Sequence, residues 1–507
     1  MLNMAVRNTA KLIREKSKSE NVRLGRLFTK KDTARLMAGM VSLDKTKSAY
    51  TILDPAAGTG ILSAAMIEHI CKSAPSAKQI FLTCYETEEA FLPMLEDNLE
   101  RIRKKCRHDY DVRLFVTIYS ENYLTGVKNH YTITFFDTVE DKFDLIIVNP
   151  PSYMINKGSE EANAAGCVTM KAVSSEYLFA KVAAEHLEPD GQLVTLLPTT
   201  FATAASLSLI RKTVLDILTV KKVHLFVGNG KNLSRAIPLK KNIIIAFSAK
   251  TDEGAVEIST STDNGTAAKT VKLSPLPYDF IVDKTDGSLT LPKSVEDTKI
   301  VSYINSFPET LESLGLKMRT GLVIDSKCKK ILFDEAVPGT IPLIRLNAIK
   351  NSGVSFPAPG VKKQYLMPVS PALFQKNKNL IIIKRVPAKS DVRFLNAAIY
   401  FAAQRPSDAY ISTHNKVNFI DTKDSGEEIC ARLACGLFAL LNSTIYDRYL
   451  SIISKSKQIN SKEMKSLPLP PRNLIENIGA RLMAAKQYTV PACDAIVNPT
   501  LRIVEKR

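Results

Sequence analysis

Tyr50-Thr51-Ile52-Leu53-Asp54-Pro55-Ala56-Ala57-Gly58-Thr59-Gly60 passes directly from an apolar run into a turn of small residues. Four apolar or β-favouring residues before an Asp-Pro read as a short buried strand. Gly58 and Gly60 permit backbone angles closed to other residues and let a ligand approach the chain. The helical periodicity of Ile61–Ser73 begins at once, so its unpaired N–H groups face the same place. A second run, Phe143-Asp144-Leu145-Ile146-Ile147-Val148, ends on Asn149-Pro150-Pro151 about 95 residues further on. That interval holds two or three strand–helix units.

Working outward, short apolar runs alternate with helical patterns from about Lys45 to Ser248. Strands are predicted at Tyr50–Leu53, Ile80–Tyr85, Val112–Ile118, Phe143–Val148, Gln192–Leu197, Lys222–Phe226 and Asn242–Phe247. Helices fit at Ile61–Ser73, Glu88–Cys106, Ser174–Leu187 and Ala204–Thr213. The expectation is an α/β fold with a doubly wound parallel sheet, its ligands at the C-terminal strand ends where both motifs fall. Residues 251–270, rich in Thr, Ser, Gly and Asp, read as a boundary or a loosely ordered hairpin, within a connector expected over 251–295. Beyond them, Pro and Gly punctuate short strands in a β-rich, mixed domain over 296–507. A helical pattern returns near Glu427–Ser454, and a last helix is expected at Leu474–Gln487.

A chain of 507 residues with 45% hydrophobic and 24% charged residues is globular and long enough for two or three domains. Its net charge of +18 favours a polyanionic partner. Eight cysteines without a CxxC pair suit reduced thiols rather than zinc ligands or disulfides, so no metal is expected. The N-terminus has no apolar core of a signal peptide, and no apolar stretch approaches the roughly 18 residues of a membrane span. A cytoplasmic protein is expected.

The first motif lacks the Gly-Lys-Ser/Thr of a phosphate loop and the GxGxxG of a dinucleotide site, so it suits a ligand without phosphates. Glu86, closing the next strand, can accept ribose hydroxyls, or it simply opens a solvated acidic stretch. Asn122, after the third strand, can bond an adenine edge with Tyr123 packed beside the ring, or it is an ordinary loop residue. Together with Asp54, Ala56, Gly58 and Gly60 these residues point to S-adenosylmethionine. The second motif suits a conjugated amine. The Asn149 side-chain oxygen and the Pro150 carbonyl can accept its two hydrogens, draw nitrogen toward tetrahedral geometry and free its lone pair. Pro151 stiffens the turn, and such preorganised acceptors supply most of the catalysis in many enzymes. No Pro-Cys dipeptide supports covalent chemistry on cytosine.

These residues resemble the adenine-N6 DNA methyltransferases of restriction–modification systems, in the motif order of the TaqI-like group. The resemblance implies a class I S-adenosylmethionine-dependent methyltransferase sheet over residues 1–250 and a target-recognition domain over 296–507. Leu24-Gly25-Arg26-Leu27-Phe28-Thr29 is similar to the family's N-terminal motif, in which Phe28 and Thr29 flank the cofactor's methionine end. Ser175-Glu176-Tyr177-Leu178-Phe179 and Leu197-Pro198-Thr199-Thr200-Phe201 look like its later sheet motifs. Lys384-Arg385, His414-Asn415-Lys416-Val417-Asn418 and Leu440-Leu441-Asn442-Ser443 look like recognition-domain signatures of the BsuBI/PstI relatives. The chain departs at two aromatic positions. Ser152 stands where the base-stacking aromatic follows Asn-Pro-Pro, and Ile237 where a second is usual. Tyr153 or Phe201 is expected to substitute.

The family implies site-specific methylation of N6 on an extruded adenine in double-stranded DNA, with a separate restriction endonuclease as possible companion and a monomer as the expected state. Arg345, Lys384, Arg385, Lys455 and Lys457 have the chemistry to meet bases or phosphates. Two alternatives stay open: methylation of RNA or a protein glutamine, and a catalytically impaired DNA-binding homologue.

Overall fold

The computed structural model describes residues 1–14, 28–127, 131–133, 138–140, 142–166, 172–227, 239–262, 270–273, 275–350, 353–386, 393–424, 426–454, 458–459 and 461–502. The chain divides into two compact units, 1–230 with 237–294, and 231–236 with 295–507.

The first unit is built on strands β1 (Ala49–Asp54), β2 (Gln79–Tyr85), β3 (Arg113–Tyr119), β4 (Phe143–Val148), β5 (Leu187–Pro198), β6 (Leu218–Val227), β7 (Leu239–Ala249), β8 (Ala255–Ser261) and β9 (Thr270–Lys272). They pair in the order β9-β8-β6-β7-β5-β4-β1-β2-β3. β1 to β5 run parallel, while β7 is antiparallel to both β5 and β6. The expected α/β doubly wound sheet is therefore present. β7 reverses in keeping with the short interval of 11 residues between Val227 and Leu239, because a parallel neighbour needs a crossover of a dozen or more.

Burial on both faces follows the period of two. On β1, Tyr50 and Ile52 join one core and Leu53 the other; on β4, Leu145 and Ile147 join the first, Ile146 and Val148 the second. Helices α1 (Leu2–Arg14), α2 (Lys31–Gly39), α3 (Ile61–Ser73) and α4 (Leu92–Tyr110) contribute to the first core. Helices α5 (Tyr123–Gly126), α6 (Glu160–Ala164), α7 (Ser175–Glu185) and α8 (Ser208–Ile217) contribute to the second. Each fully buried Ile or Leu contributes about 1.5–3 kcal/mol, so a sheet buried on both faces is the stable arrangement for such runs.

Several boundaries differ from expectation, among them that of α8, which runs Ser208–Ile217 rather than Ala204–Thr213. Helix α4 starts at Leu92 rather than Glu88, because Glu86 accepts the Glu88 N–H at 2.7 Å and Pro93 belongs in a first turn. Residues 251–294 belong to the first unit rather than forming a connector: β8 pairs with β6, so its Val256 and Ile258 gain burial.

In the second unit, β10 (Leu316–Thr320), β11 (Leu380–Lys384), β12 (Ala397–Tyr400) and β13 (Val417–Thr422) belong to a six-stranded sheet, in the order β10-β13-β11-β12 with β10 at the edge. Helices α9 (Ala431–Asn442), α10 (Thr444–Ile453), α11 (Arg472–Ala485) and α12 (Val490–Thr500) follow. Helices α9 and α11 touch backbone to backbone. A Cβ on Gly436 would fall 1.9 Å from the Ile475 oxygen, and one on Gly479 1.8 Å from that of Arg432. Among the described residues no helix is long and apolar enough to cross a membrane.

Candidate active site

β1 lies between β2 and β4, with Leu53 opposite Ile146. This is the point where strand order reverses, so Asp54 and Asn149 end neighbouring strands despite their separation in sequence. Glu86 follows β2 and Asn122 follows β3, and the four residues fan across adjacent strand ends.

The small-residue turn has the expected backbone. Gly58 has φ +57° and Gly60, the N-cap of α3, φ +82°. Glu86 accepts the Gly58 N–H at 2.6 Å as well as that of Glu88, which fixes the turn against β2. Desolvation holds its pKa above the usual carboxylate range. Phe28 packs against Phe91 at 5.0 Å and lies 3.4 Å from where a Gly58 Cβ would stand. Ala56 is half-buried beside the second core.

Asp54 is wholly buried. One of its oxygens accepts the Ser63 hydroxyl at 2.6 Å, and Oδ1 has no partner among the described residues. Burial pushes its pKa up to about 7, with the Ser63 hydroxyl pulling the other way. An orphaned carboxylate oxygen beneath a glycine turn suits a cationic, phosphate-free ligand and would repel a phosphate.

Asn149 is held through its amide nitrogen, which donates to the Thr29 hydroxyl at 3.0 Å. Its Oδ1 and the Pro150 carbonyl accept no hydrogen bond among the described residues. Two acceptor atoms are thus left without a partner among the described residues at the end of β4. Ser175 at the start of α7 clamps the loop beyond: its hydroxyl donates to the Pro151 carbonyl at 2.5 Å and accepts the Tyr153 N–H at 3.1 Å, and its own N–H bonds the Tyr153 carbonyl.

Three expected roles do not survive. Tyr123 is 1% exposed and packs among Tyr85, Phe179 and His186, so its ring is core rather than a platform for adenine. Phe201, also 1% exposed, stacks on Tyr177 and cannot replace the missing aromatic. Arg345 is spent on a bidentate pair with Asp325, at 2.7 and 3.1 Å, and on the Lys363 carbonyl. By contrast, Tyr153 is 38% exposed. Lys384 ends β11, and Arg385 beside it is half-buried and bonds the Asn415 carbonyl. Ile237, Lys455 and Lys457 lie outside the described residues.

The sequence did not disclose the support under the cradle. Asn98 of α4 donates to the Thr59 carbonyl at 2.9 Å and accepts from Asn8, while the Thr59 hydroxyl meets that of Thr9 at 2.6 Å. Only the polar type of Asn98 at a core-facing helix position could have signalled it. Ser175 could have been suspected as the N-terminal residue of α7. Among the described residues no group of His, Cys, Asp or Glu could hold a metal ion.

A family model for N-6 DNA methylases matches residues 10–283. The chain is 25% identical over 491 residues to the type II methyltransferase M.PstI of Providencia stuartii, covering 95% of this chain and 94% of that protein. It is 24% identical over 469 residues to M.BsuBI of Bacillus subtilis, covering 92% and 90%. A type IIL restriction–modification enzyme, MmeI, solved in complex with DNA, is similar with a TM-score of 0.48 and 11% identity, over 100% of this chain and 74% of that one.

Proposed function

The chain belongs to the N-6 DNA methylase family, and from that premise we propose that it methylates N6 of adenine at specific sites in double-stranded DNA, as the modification enzyme of a type II restriction–modification system. The observation that carries this reading is the Asn149 carboxamide. Its NH2 is committed to Thr29, which leaves the oxygen to accept from a substrate amine. The Pro150 carbonyl accepts the second hydrogen. Conjugation with the ring weakens as nitrogen becomes tetrahedral, and its lone pair turns toward the methyl donor.

The donor is S-adenosylmethionine, which supplies an electrophilic methyl on a sulfonium. Glu86 holds the ribose hydroxyls, Asn122 the adenine edge, Gly58 and Gly60 the close backbone approach, and Phe28 the methionine end. Asp54 shapes the turn from beneath, its carboxylate buried below the cradle. Tyr153 is the surface left to stack on an adenine swung out of the duplex. The second unit, with Lys384 and Arg385, positions and reads DNA, consistent with the net charge of +18.

Sequencing DNA from cells that express the protein, with a readout for modified bases, tests this directly. N6-methyladenine confined to one sequence motif supports it, and unmodified adenine refutes it. Ser152 motivates one second reading, an impaired homologue, which predicts cofactor and DNA binding without modified adenine.

A further inference from the structure

We infer that Glu161 is a positioning residue that ties the aromatic surface for the target base to the amide at the cofactor's adenine end. The inference rests on the proposed function, because it takes Tyr153 and Asn122 in those two roles. A single oxygen, Oε1, accepts both the Tyr153 hydroxyl and the Asn122 amide, each at 2.7 Å. Tyr153 follows the Asn-Pro-Pro turn of β4, and Asn122 follows β3, so no covalent neighbour links them.

Each partner is fixed at one end and open at the other. Asn122 caps α5 by accepting the Leu124 N–H at 3.0 Å, which leaves its NH2 for Glu161. Ser175 holds the Tyr153 backbone, while at the outer end of the ring the hydroxyl donates to Glu161 and also meets the Asn122 side chain. The carboxylate is itself anchored. Helix α6 is capped by Ser159, and its Ala162 is buried in the same core as Tyr123 and Leu124. Burial and the neighbouring carboxylate push the Tyr153 hydroxyl up to about 12, so it remains a donor at any physiological pH.

A family aromatic placed directly after Asn-Pro-Pro would be steered by the turn. Here Ser152 takes that place, and Tyr153 stands one residue further out. Glu161 supplies the missing restraint from the side. Because the same oxygen holds Asn122, a shift at the cofactor's adenine is felt by the ring.

The test is a double-mutant cycle on the full-length chain with Tyr153→Phe, Glu161→Ala and both together. Transfer from labelled S-adenosylmethionine to unmethylated plasmid DNA gives kcat/KM, and calorimetry with S-adenosylhomocysteine gives cofactor-site affinity. A hydrogen bond to a charged acceptor at a partly exposed position predicts a loss of about tenfold in kcat/KM for either single variant. The double variant should fall no further than the worse single. Glu161→Ala should weaken S-adenosylhomocysteine by about threefold, and Tyr153→Phe should leave it unchanged. Glu161→Gln, which keeps an acceptor oxygen in place, should restore most of both.

Losses that multiply in the double variant, or wild-type values in Glu161→Ala, overturn the inference. A merely structural role would lower the melting temperature of Glu161→Ala and give no such split between the two readouts. Should the wild-type protein transfer no methyl group, the proposed function fails, and the calorimetric arm still decides the link from Glu161 to Asn122.

Discussion

Replacing Thr29 by Val tests how the Asn149 carboxamide is oriented. Val keeps the shape of Thr but removes the hydroxyl that accepts the Asn149 NH2 at 3.0 Å. A neutral hydrogen bond contributes about 1 kcal/mol net, and a half-buried donor left without a partner costs about 1 kcal/mol at the low end of its range. The larger consequence is directional. Freed from Thr29, the carboxamide can turn and offer NH2 to the substrate amine, donor against donor. The two effects together predict a fall of about 5- to 30-fold in the methyl-transfer step. Thr29→Ser keeps the hydroxyl and should stay within about twofold of wild type. Single-turnover transfer at saturating S-adenosylmethionine isolates this step from any change in cofactor affinity. If Val and Ser variants transfer at the same rate, Thr29 does not orient Asn149 and the reasoning fails.

Other expectations follow from the same geometry. Asp54 titrates near pH 7 in the folded chain against about 3.9 unfolded, so the folded state holds the extra proton between those values. Its stabilising share is complete below about pH 4 and lost as pH rises to 7; Asp54→Asn escapes that loss, and melting curves of the two proteins that stay parallel across the range contradict the assignment. Gly479→Ala pushes a methyl group to 1.8 Å from the Arg432 oxygen, where overpacking costs about 1–3 kcal/mol or more. Calorimetry should show the second unit melting earlier while S-adenosylhomocysteine binding persists. Phe201→Ala should cost about 3–5 kcal/mol of stability, as for a buried aromatic. Tyr153→Ala should spare the melting temperature and lower kcat/KM for DNA by about 10- to 100-fold, the worth of base stacking; the opposite pattern would reverse their roles.

The sheet was legible because strands buried on both faces must be nearly continuous apolar runs, and Phe143–Val148 and Ile61–Ser73 are bounded as the spacing predicts. Strand direction was harder. The short interval between Val227 and Leu239 carried that information, in a spacing rather than a hydropathy pattern. The outermost strands were legible only as one alternative, a loosely ordered hairpin, because β8 is Ser- and Thr-rich and is held by pairing, not by hydropathy. Helix α12 was hidden by Pro491 and Pro499, which read as breakers yet stand in its first and last turns, where the missing N–H matters least or the helix is ending.

At the site, backbone requirements were readable and side-chain directions were not. Gly58, Gly60 and the prolines announce a conformation by their identity. Tyr123 and Phe201 are aromatics beside motifs, and nothing local says whether such a ring turns toward ligand or core. Arg345 is similar: its bidentate partner Asp325 is distant enough in sequence to give no periodic signal. The supports Thr29, Ser175 and Asn98 are polar residues whose partners exist only after folding.

The most direct measurement is methyl transfer to adenine N6 by Asn149→Ala, with S-adenosylhomocysteine affinity determined on the same preparation. Loss of one preorganised group of this kind costs about 100- to 1000-fold. The expected result is a fall of that size in transfer with cofactor affinity within about twofold of wild type. Transfer at the wild-type rate would mean that the amine is activated elsewhere.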